Sequence, residues 1–204
     1  MSSYSGGYLW PPRPSDAFPC ESLSSLEREG IWGMQAKKNG TCTLLAWDGS
    51  RLTVFDRHQK VQAWMMPDET RDAFSFSGKP FALAAELIHN KVKGVRNKVY
   101  VFDIVAHDGI TLVGTKFKDR MSLLRTLYPG GTIEPTHRDM GGGAWIARTF
   151  TDGFAAFYES IVPNPMDEGV VLKRLNAPLC NLYREGANGS WQQKCRKPTK
   201  NYRF

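Results

Sequence analysis

Four short groups of residues carry side chains able to do covalent phosphate chemistry. The first is Lys37-Lys38-Asn39-Gly40, which follows the apolar approach Ile31-Trp32-Gly33-Met34 and precedes a strong strand pattern. A lysine at such a strand-to-turn junction can bring its amine against a phosphate, and the glycine removes side-chain bulk where the backbone turns. Alone, the tetrapeptide describes a solvated basic turn equally well. The second and third groups are single acids in apolar surroundings, Glu86 in ALAAELI and Glu168 in DEGVVLK. A carboxylate placed there is costly unless it meets a cation, a metal or a hydroxyl, and a structural salt bridge meets that need as well as a ligand does. The fourth is Lys194-Cys195-Arg196-Lys197, where strand alternation puts Lys194 and Arg196 on one face. That pattern serves anion binding, or a basic edge strand that resists aggregation.

In this order the groups resemble the covalent nucleotidyltransferase superfamily of ATP-dependent DNA ligases, RNA ligases and messenger-RNA capping enzymes, over nearly the whole chain. Lys37 to Gly40 match the KxxG nucleophile motif, Asp56-Arg57-His58 look like the second motif, and Ala85-Glu86-Leu87-Ile88 resemble the third. Val101-Phe102-Asp103-Ile104 are similar to the aromatic motif that follows, Glu168-Gly169-Val170-Val171-Leu172-Lys173 to the fourth, and Lys194-Cys195-Arg196 to the fifth. The resemblance implies that Lys37 attacks the α-phosphorus of ATP, expels pyrophosphate and becomes a lysyl-AMP. A free lysine has a pKa of about 10.4, so its ammonium must be disfavoured before it can attack. Lys194, Arg196 and a bound Mg²⁺ or Mn²⁺ would do this by their charge, with Glu168 as the implied metal ligand. Phe102 would stack on the adenine, Glu86 would accept from a ribose hydroxyl, and Arg57 would hold the ribose or a nearby phosphate. Gln35 occupies the position of a base contact, Gly40 closes the nucleotide turn, and Lys173 supports the phosphates.

Three departures qualify the match. Many DNA ligases have Arg two residues after the KxxG glycine, where this chain has Cys42. The last motif has Arg196 in place of a second lysine, which keeps the charge but not the compact ammonium, and Lys197 is the available substitute. The sequence reaches Phe204 directly after the fifth motif, so a single adenylation domain over 1–204 with no oligonucleotide-binding barrel is expected. The expected activity is ATP-dependent joining of 5′-phosphate to 3′-hydroxyl ends of RNA or DNA, with nucleic acid as partner. The alternatives are a GTP-dependent capping guanylyltransferase and a non-catalytic nucleic-acid-binding relative.

These residues need a frame. Residues 1–20, rich in Pro, Gly and Ser with Tyr8 and Trp10 ahead of Pro11, Pro12 and Pro14, read as an extended arm that needs a groove to lie in. TCTLLAW, the turn Asp48-Gly49 and RLTVFDR read as an antiparallel hairpin. PDETRDAF reads as a short helical or irregular link, and PFALAAELI and KVYVFDIVAHDG as buried strands. Phe117, Met121, Leu124 and Leu127 recur at helical spacing before Tyr128-Pro129-Gly130-Gly131, and Phe154, Phe157, Tyr158 and Ile161 do so before Pro163. EGVVLKRL and WQQKCRK read as strands, the latter leading into a basic tail. Strands outnumber helices and their turns are short, so the expected class is α+β with antiparallel sheets flanked by helices around an ATP cleft.

Composition narrows the classes without choosing among them. The chain has 204 residues, 41% hydrophobic and 23% charged, as ordinary globular proteins have. No apolar run approaches the roughly 18 residues that cross a bilayer, and MSSYSGGYLWPPRP lacks the pattern of a secretion signal. A cytoplasmic monomer with no membrane partner is expected, and the size suits a phage or mobile-element repair enzyme. The net charge of +7 favours a polyanionic partner. Cys20, Cys42, Cys180 and Cys195 form no metal-ligand spacing and are expected to be free thiols.

Overall fold

Alternating apolar residues with glycine turns build twelve strands among the described residues. The protein is described by a computed structural model covering residues 2–76 and 78–198. In chain order come β1 (Asp16–Ala17), a 3-10 turn (Cys20–Ser22), α1 (Leu23–Arg28), β2 (Trp32–Lys38), β3 (Thr41–Trp47) and β4 (Leu52–Asp56). Then follow α2 (Asp68–Phe74), β5 (Phe81–Ile88), β6 (Lys98–His107), β7 (Ile110–Thr111), α3 (Phe117–Leu127), β8 (Thr132–Ile133), β9 (His137–Asp139) and β10 (Ala144–Ala147). The series ends with α4 (Phe154–Ile161), β11 (Asp167–Arg174) and β12 (Gln192–Arg196).

The strands form two sheets. The larger has the order β4-β3-β5-β6-β10-β9-β8, with β7 also paired to β6, and the smaller has the order β1-β12-β11-β2. Among these pairs only β6 with β10 and β1 with β12 run parallel. The class is therefore α+β with mainly antiparallel sheets, as expected. Consecutive strands β2 and β3 belong to different sheets, so the chain crosses between them at Asn39-Gly40. A Cβ on Gly40 would lie 2.5 Å from the Leu87 carbonyl oxygen and 2.7 Å from Glu86 Cγ. Only glycine lets the crossing run this close to Glu86.

Each sheet has its own apolar layer. Phe117, Met121 and Leu124 put one face of α3 into the core of the large sheet beside Leu44, Leu83, Val101 and Val105. Burying each such side chain contributes about 1.5–3 kcal/mol. Arg120, on the same helix and fully buried, makes a bidentate pair with Asp103 at 2.8 and 2.9 Å. That pair ties α3 to β6 one residue after Phe102. On the small sheet, α1 and α4 cover Trp32, Met34, Val170 and Leu172 with Leu23, Phe154 and Ile161.

The N-terminal segment is hydrogen-bonded at three separate places along the chain. Tyr4 N donates to Gly109 O at 2.7 Å, Trp10 N to Leu182 O at 2.8 Å, and Phe18 N to Lys194 O at 3.1 Å. The expectation of four free thiols is corrected here. Cys20 and Cys195 form a disulfide, while Cys42 and Cys180 are free. Their separation of 175 residues has no local signature; the arm brings the 3-10 turn beside β12, where the two Cα atoms are 5.7 Å apart. The basic tail expected after β12 lies, from residue 199 onward, outside the described residues. Among the described residues no helix is long and apolar enough to cross a membrane.

Candidate active site

Strand register places the cations. In the small sheet Gly169 pairs with Lys37 on β2 and with Arg196 on β12, while Val171 pairs with Gln35 and with Lys194. Lys37 and Arg196 thus share one cross-strand row, and Gln35 and Lys194 the next, on the same face. A register shift between Asp167 and Gly169 bulges β11 at Glu168, and such a bulge re-aims the side chain it carries. At Gly169, φ is +136° and an added Cβ would lie 2.0 Å from the Cys195 carbonyl oxygen, so the bulge needs glycine. The result is a compact ionic centre: Lys37 Nζ is 2.5 Å from Glu168 Oε2, and Arg196 reaches the same oxygen at 3.7 Å.

The other residues singled out in the sequence surround this centre in a cleft of about 720 Å³ between the sheets. Glu86 enters from β5, and burial, opposed by Lys37 and Lys91 and reinforced by Glu168, raises its carboxyl to about 7. Phe102 enters from β6, and Lys173 lies against it, its Nζ donating to the Phe102 carbonyl at 3.1 Å and lying 4.8 Å from the ring centroid. Burial lowers the Lys173 ammonium to about 8. Lys194 is lowered as well, by desolvation first and then by Arg196 and Lys37. Its Nζ faces the Pro14 and Ser15 carbonyls, each at 3.4 Å. Arg57 lies at the exposed end of β4 and donates Nε to His58 Nε2 at 3.1 Å. Gln35 is buried, with Nε2 donating to Thr149 Oγ1 at 3.2 Å and to Met121 Sδ at 3.4 Å; its Oε1 has no partner among the described residues.

Some of the cleft went unread in the sequence. Trp10 to Ser15 of the arm and the 184–188 loop form walls of it, linked by Arg13 to Glu185 at 2.7 Å. Behind the ionic centre, Lys38 and Asp167 make a second pair at 2.6 Å with side chains 1% and 0% exposed. Tyr100 also lines the cleft, and its position two residues before Phe102 on one strand was the signal available for it.

No protein-family model matches the chain, and no curated protein matches it in sequence. Solved structures do match in shape. The ligase domain of M. tuberculosis LigD superposes with a TM-score of 0.65 at 17% identity, covering 92% of this chain and 60% of that one. A mycobacterial DNA ligase D complexed with ATP gives a TM-score of 0.64 at 18% identity over the same shares. A Lig E DNA ligase, described as binding DNA with a minimal scaffold, gives 0.54 at 12% identity, covering 92% of this chain and 68% of that one. This is the fold of a polynucleotide-ligase nucleotidyltransferase domain. The chain spans about 60% of the length of the two LigD structures.

Glu168 is the residue that could hold a metal bound mainly by a substrate. No group of three or more His, Cys, Asp or Glu side chains among the described residues forms a protein cage. Glu168, its side chain 27% exposed in the cleft, offers one carboxylate. One or two carboxylates completed by phosphate oxygens and water is the usual setting of Mg²⁺.

Proposed function

We propose that this chain is the catalytic part of an ATP-dependent polynucleotide ligase that works through a covalent Lys37-AMP. The observation that carries the reading is the meeting of Lys37, Glu168 and Arg196 at one point in a cleft large enough for a nucleotide. The Lys37 amine forms a bond to the α-phosphorus of ATP, the bond from that phosphorus to the bridging oxygen breaks, and pyrophosphate leaves while the amine gives up a proton. Lys194 and Arg196 balance charge on the phosphoryl oxygens, the largest contribution available to such a site. A divalent cation on Glu168 would add Lewis-acid charge neutralisation there. Phe102 offers a stacking face and Glu86 a ribose-hydroxyl acceptor. The AMP then passes to a 5′-phosphate, and attack by a 3′-hydroxyl seals the strand and releases AMP.

Gln35 favours ATP over GTP. With Nε2 engaged, its unpartnered Oε1 suits the amino group of adenine and opposes the O6 acceptor of guanine. The test is intact mass measurement after incubation with Mg²⁺ or Mn²⁺ and either ATP or GTP. The expected result is one adenylyl adduct from ATP, none from GTP and none in Lys37→Ala. Lack of any adduct from ATP rejects the reading, and an adduct from GTP alone replaces it with guanylyl transfer. Joining assays on nicked DNA, nicked RNA and single-stranded RNA then define the substrate.

A further inference from the structure

We propose that one edge of the large sheet, next to Gly40, is a docking rail for the phosphodiester backbone of the polynucleotide being joined. It is formed by the 57–60 turn and the 89–98 loop. The proposal rests on the ligase reading and names where its second substrate lies.

Antiparallel pairing brings four strand ends together at this edge. Thr43 pairs with Asp56, Thr41 with Leu87, and Ile88 with Lys98, so the end of β4, the start of β3, the end of β5 and the start of β6 lie side by side. Three inter-strand gaps of about 4.8 Å make an edge about 14 Å long. One DNA strand places a phosphate about every 3.4 Å along the axis, so the edge spans about four of them.

The two connections at this edge are wholly basic. Residues 57–67 contain Arg57, His58 and Lys60 and no acid; residues 87–102 contain His89, Lys91, Lys93, Arg96 and Lys98 and no acid. Asp56, the acid at the strand end, accepts from the His58 and Lys60 backbone N–H groups at 2.7 and 3.0 Å, so one of its oxygens is engaged within the turn. Lys93 and Arg96 are exposed, and neither is in an ion pair among the described residues. Both charges are therefore left to solvent and open to an incoming anion.

The loop is held rather than loose. Val92 is buried with Ile88, Tyr100 and Trp145, and Val95 packs on the same cluster. Trp64 Nε1 donates to Asn97 Oδ1 at 3.0 Å, which joins the 57–67 segment to the loop. Lys91 Nζ donates to the Gly40 carbonyl, so the rail is continuous with the turn that follows Lys37. A backbone lying on this edge therefore passes the mouth of the cleft where the AMP would be transferred.

The test is salt-dependent binding of a fluorescent nicked duplex, without ATP, to wild type, K93A/R96A and a charge-matched control, K118A/R125A, on exposed positions of α3. Loss of two phosphate contacts should lower the slope of log K against log salt by about 2 and weaken binding roughly tenfold at low salt. The control should keep the wild-type slope. Equal losses in both variants, or no loss in K93A/R96A, overturn the rail. Adenylation of K93A/R96A is measured alongside and should match wild type, since neither side chain lines the cleft. If wild type itself forms no adduct, the ligase reading fails, while the binding comparison still decides the rail.

Discussion

Lys37 and Arg196 stand in register on either side of Gly169, and both reach one oxygen of Glu168, at 2.5 and 3.7 Å. The carboxylate is thus the common partner of the proposed nucleophile and its neighbouring cation. Replacing it with an amide keeps the shape and removes the charge that organises both. Glu168→Gln should lower the rate of AMP-adduct formation about a hundredfold or more, as loss of one preorganised electrostatic group does elsewhere. The pair is partly solvated, with side chains 18% and 27% exposed, so stability should change by no more than about 1 kcal/mol. Rapid-quench labelling and urea unfolding of the same preparation check both halves.

One residue along each strand, Lys38 and Asp167 form the opposite kind of pair. Here the side chains are 1% and 0% exposed, and Lys38 Nζ also donates to Thr136 Oγ1 at 2.9 Å. Burial pushes the lysine ammonium down and the aspartate carboxyl up, and each is opposed by its partner. Removing one partner leaves a buried charge unmatched. Lys38→Ala should therefore cost about 3–5 kcal/mol, and K38M/D167L, which removes both charges, should recover most of it. Urea denaturation of wild type, the single variant and the double variant measures this. A single variant as stable as wild type would mean that water reaches the pair.

Glu86 makes stability depend on pH in a direction that can be stated. Its carboxyl is raised by burial from its usual 4.5 to about 7, so between these values the folded chain binds more protons at this site than the unfolded chain does. Stability contributed here is present at low pH, falls as pH rises through 4.5 to 7, and is flat above. The whole fall amounts to about 3 kcal/mol. Glu86→Gln lacks the titration, so its stability relative to wild type should grow over that window. Thermal unfolding of both proteins at pH 4.5, 6 and 8 tests the slope.

Much of the site was legible because its residues sit on single strands whose alternation is local. Lys37 ahead of Gly40, Glu168 ahead of Gly169, and Lys194 with Arg196 are each spelled within a few residues, and three-strand pairing sets them together. The α3 face was legible for the same reason, from Phe117, Met121 and Leu124. The unread parts depend on contacts far apart in sequence. Lys38 and Asp167 are 129 positions apart and each looks like an ordinary surface charge, and the small-sheet wall made by Trp10 to Ser15 follows from where the arm is pinned by Leu182 and Lys194. Strands β8 to β10 are short and broken by Gly141-Gly142-Gly143, so they show no run of alternation to read.

The Cys20–Cys195 disulfide couples the cleft to the arm, because Cys195 lies between Lys194 and Arg196 on β12. Lys194 is also the residue whose backbone carbonyl accepts from Phe18 N, so a covalent link and a hydrogen bond hold adjacent residues of the same strand. Closing a loop of 175 residues removes much of the unfolded chain's freedom. Loss of the bond should therefore cost about 2–5 kcal/mol. Unfolding free energies from urea titrations with and without reductant should differ by that amount in wild type and coincide in C20S/C195S. Adduct formation should also slow on reduction, since β12 then has only its ladder and the arm's hydrogen bonds to hold the two cations opposite Lys37. A labelling rate indifferent to reductant, together with a lowered urea midpoint, would assign the bond to stability alone and leave the β2-β11-β12 ladder as sufficient to position Lys194 and Arg196.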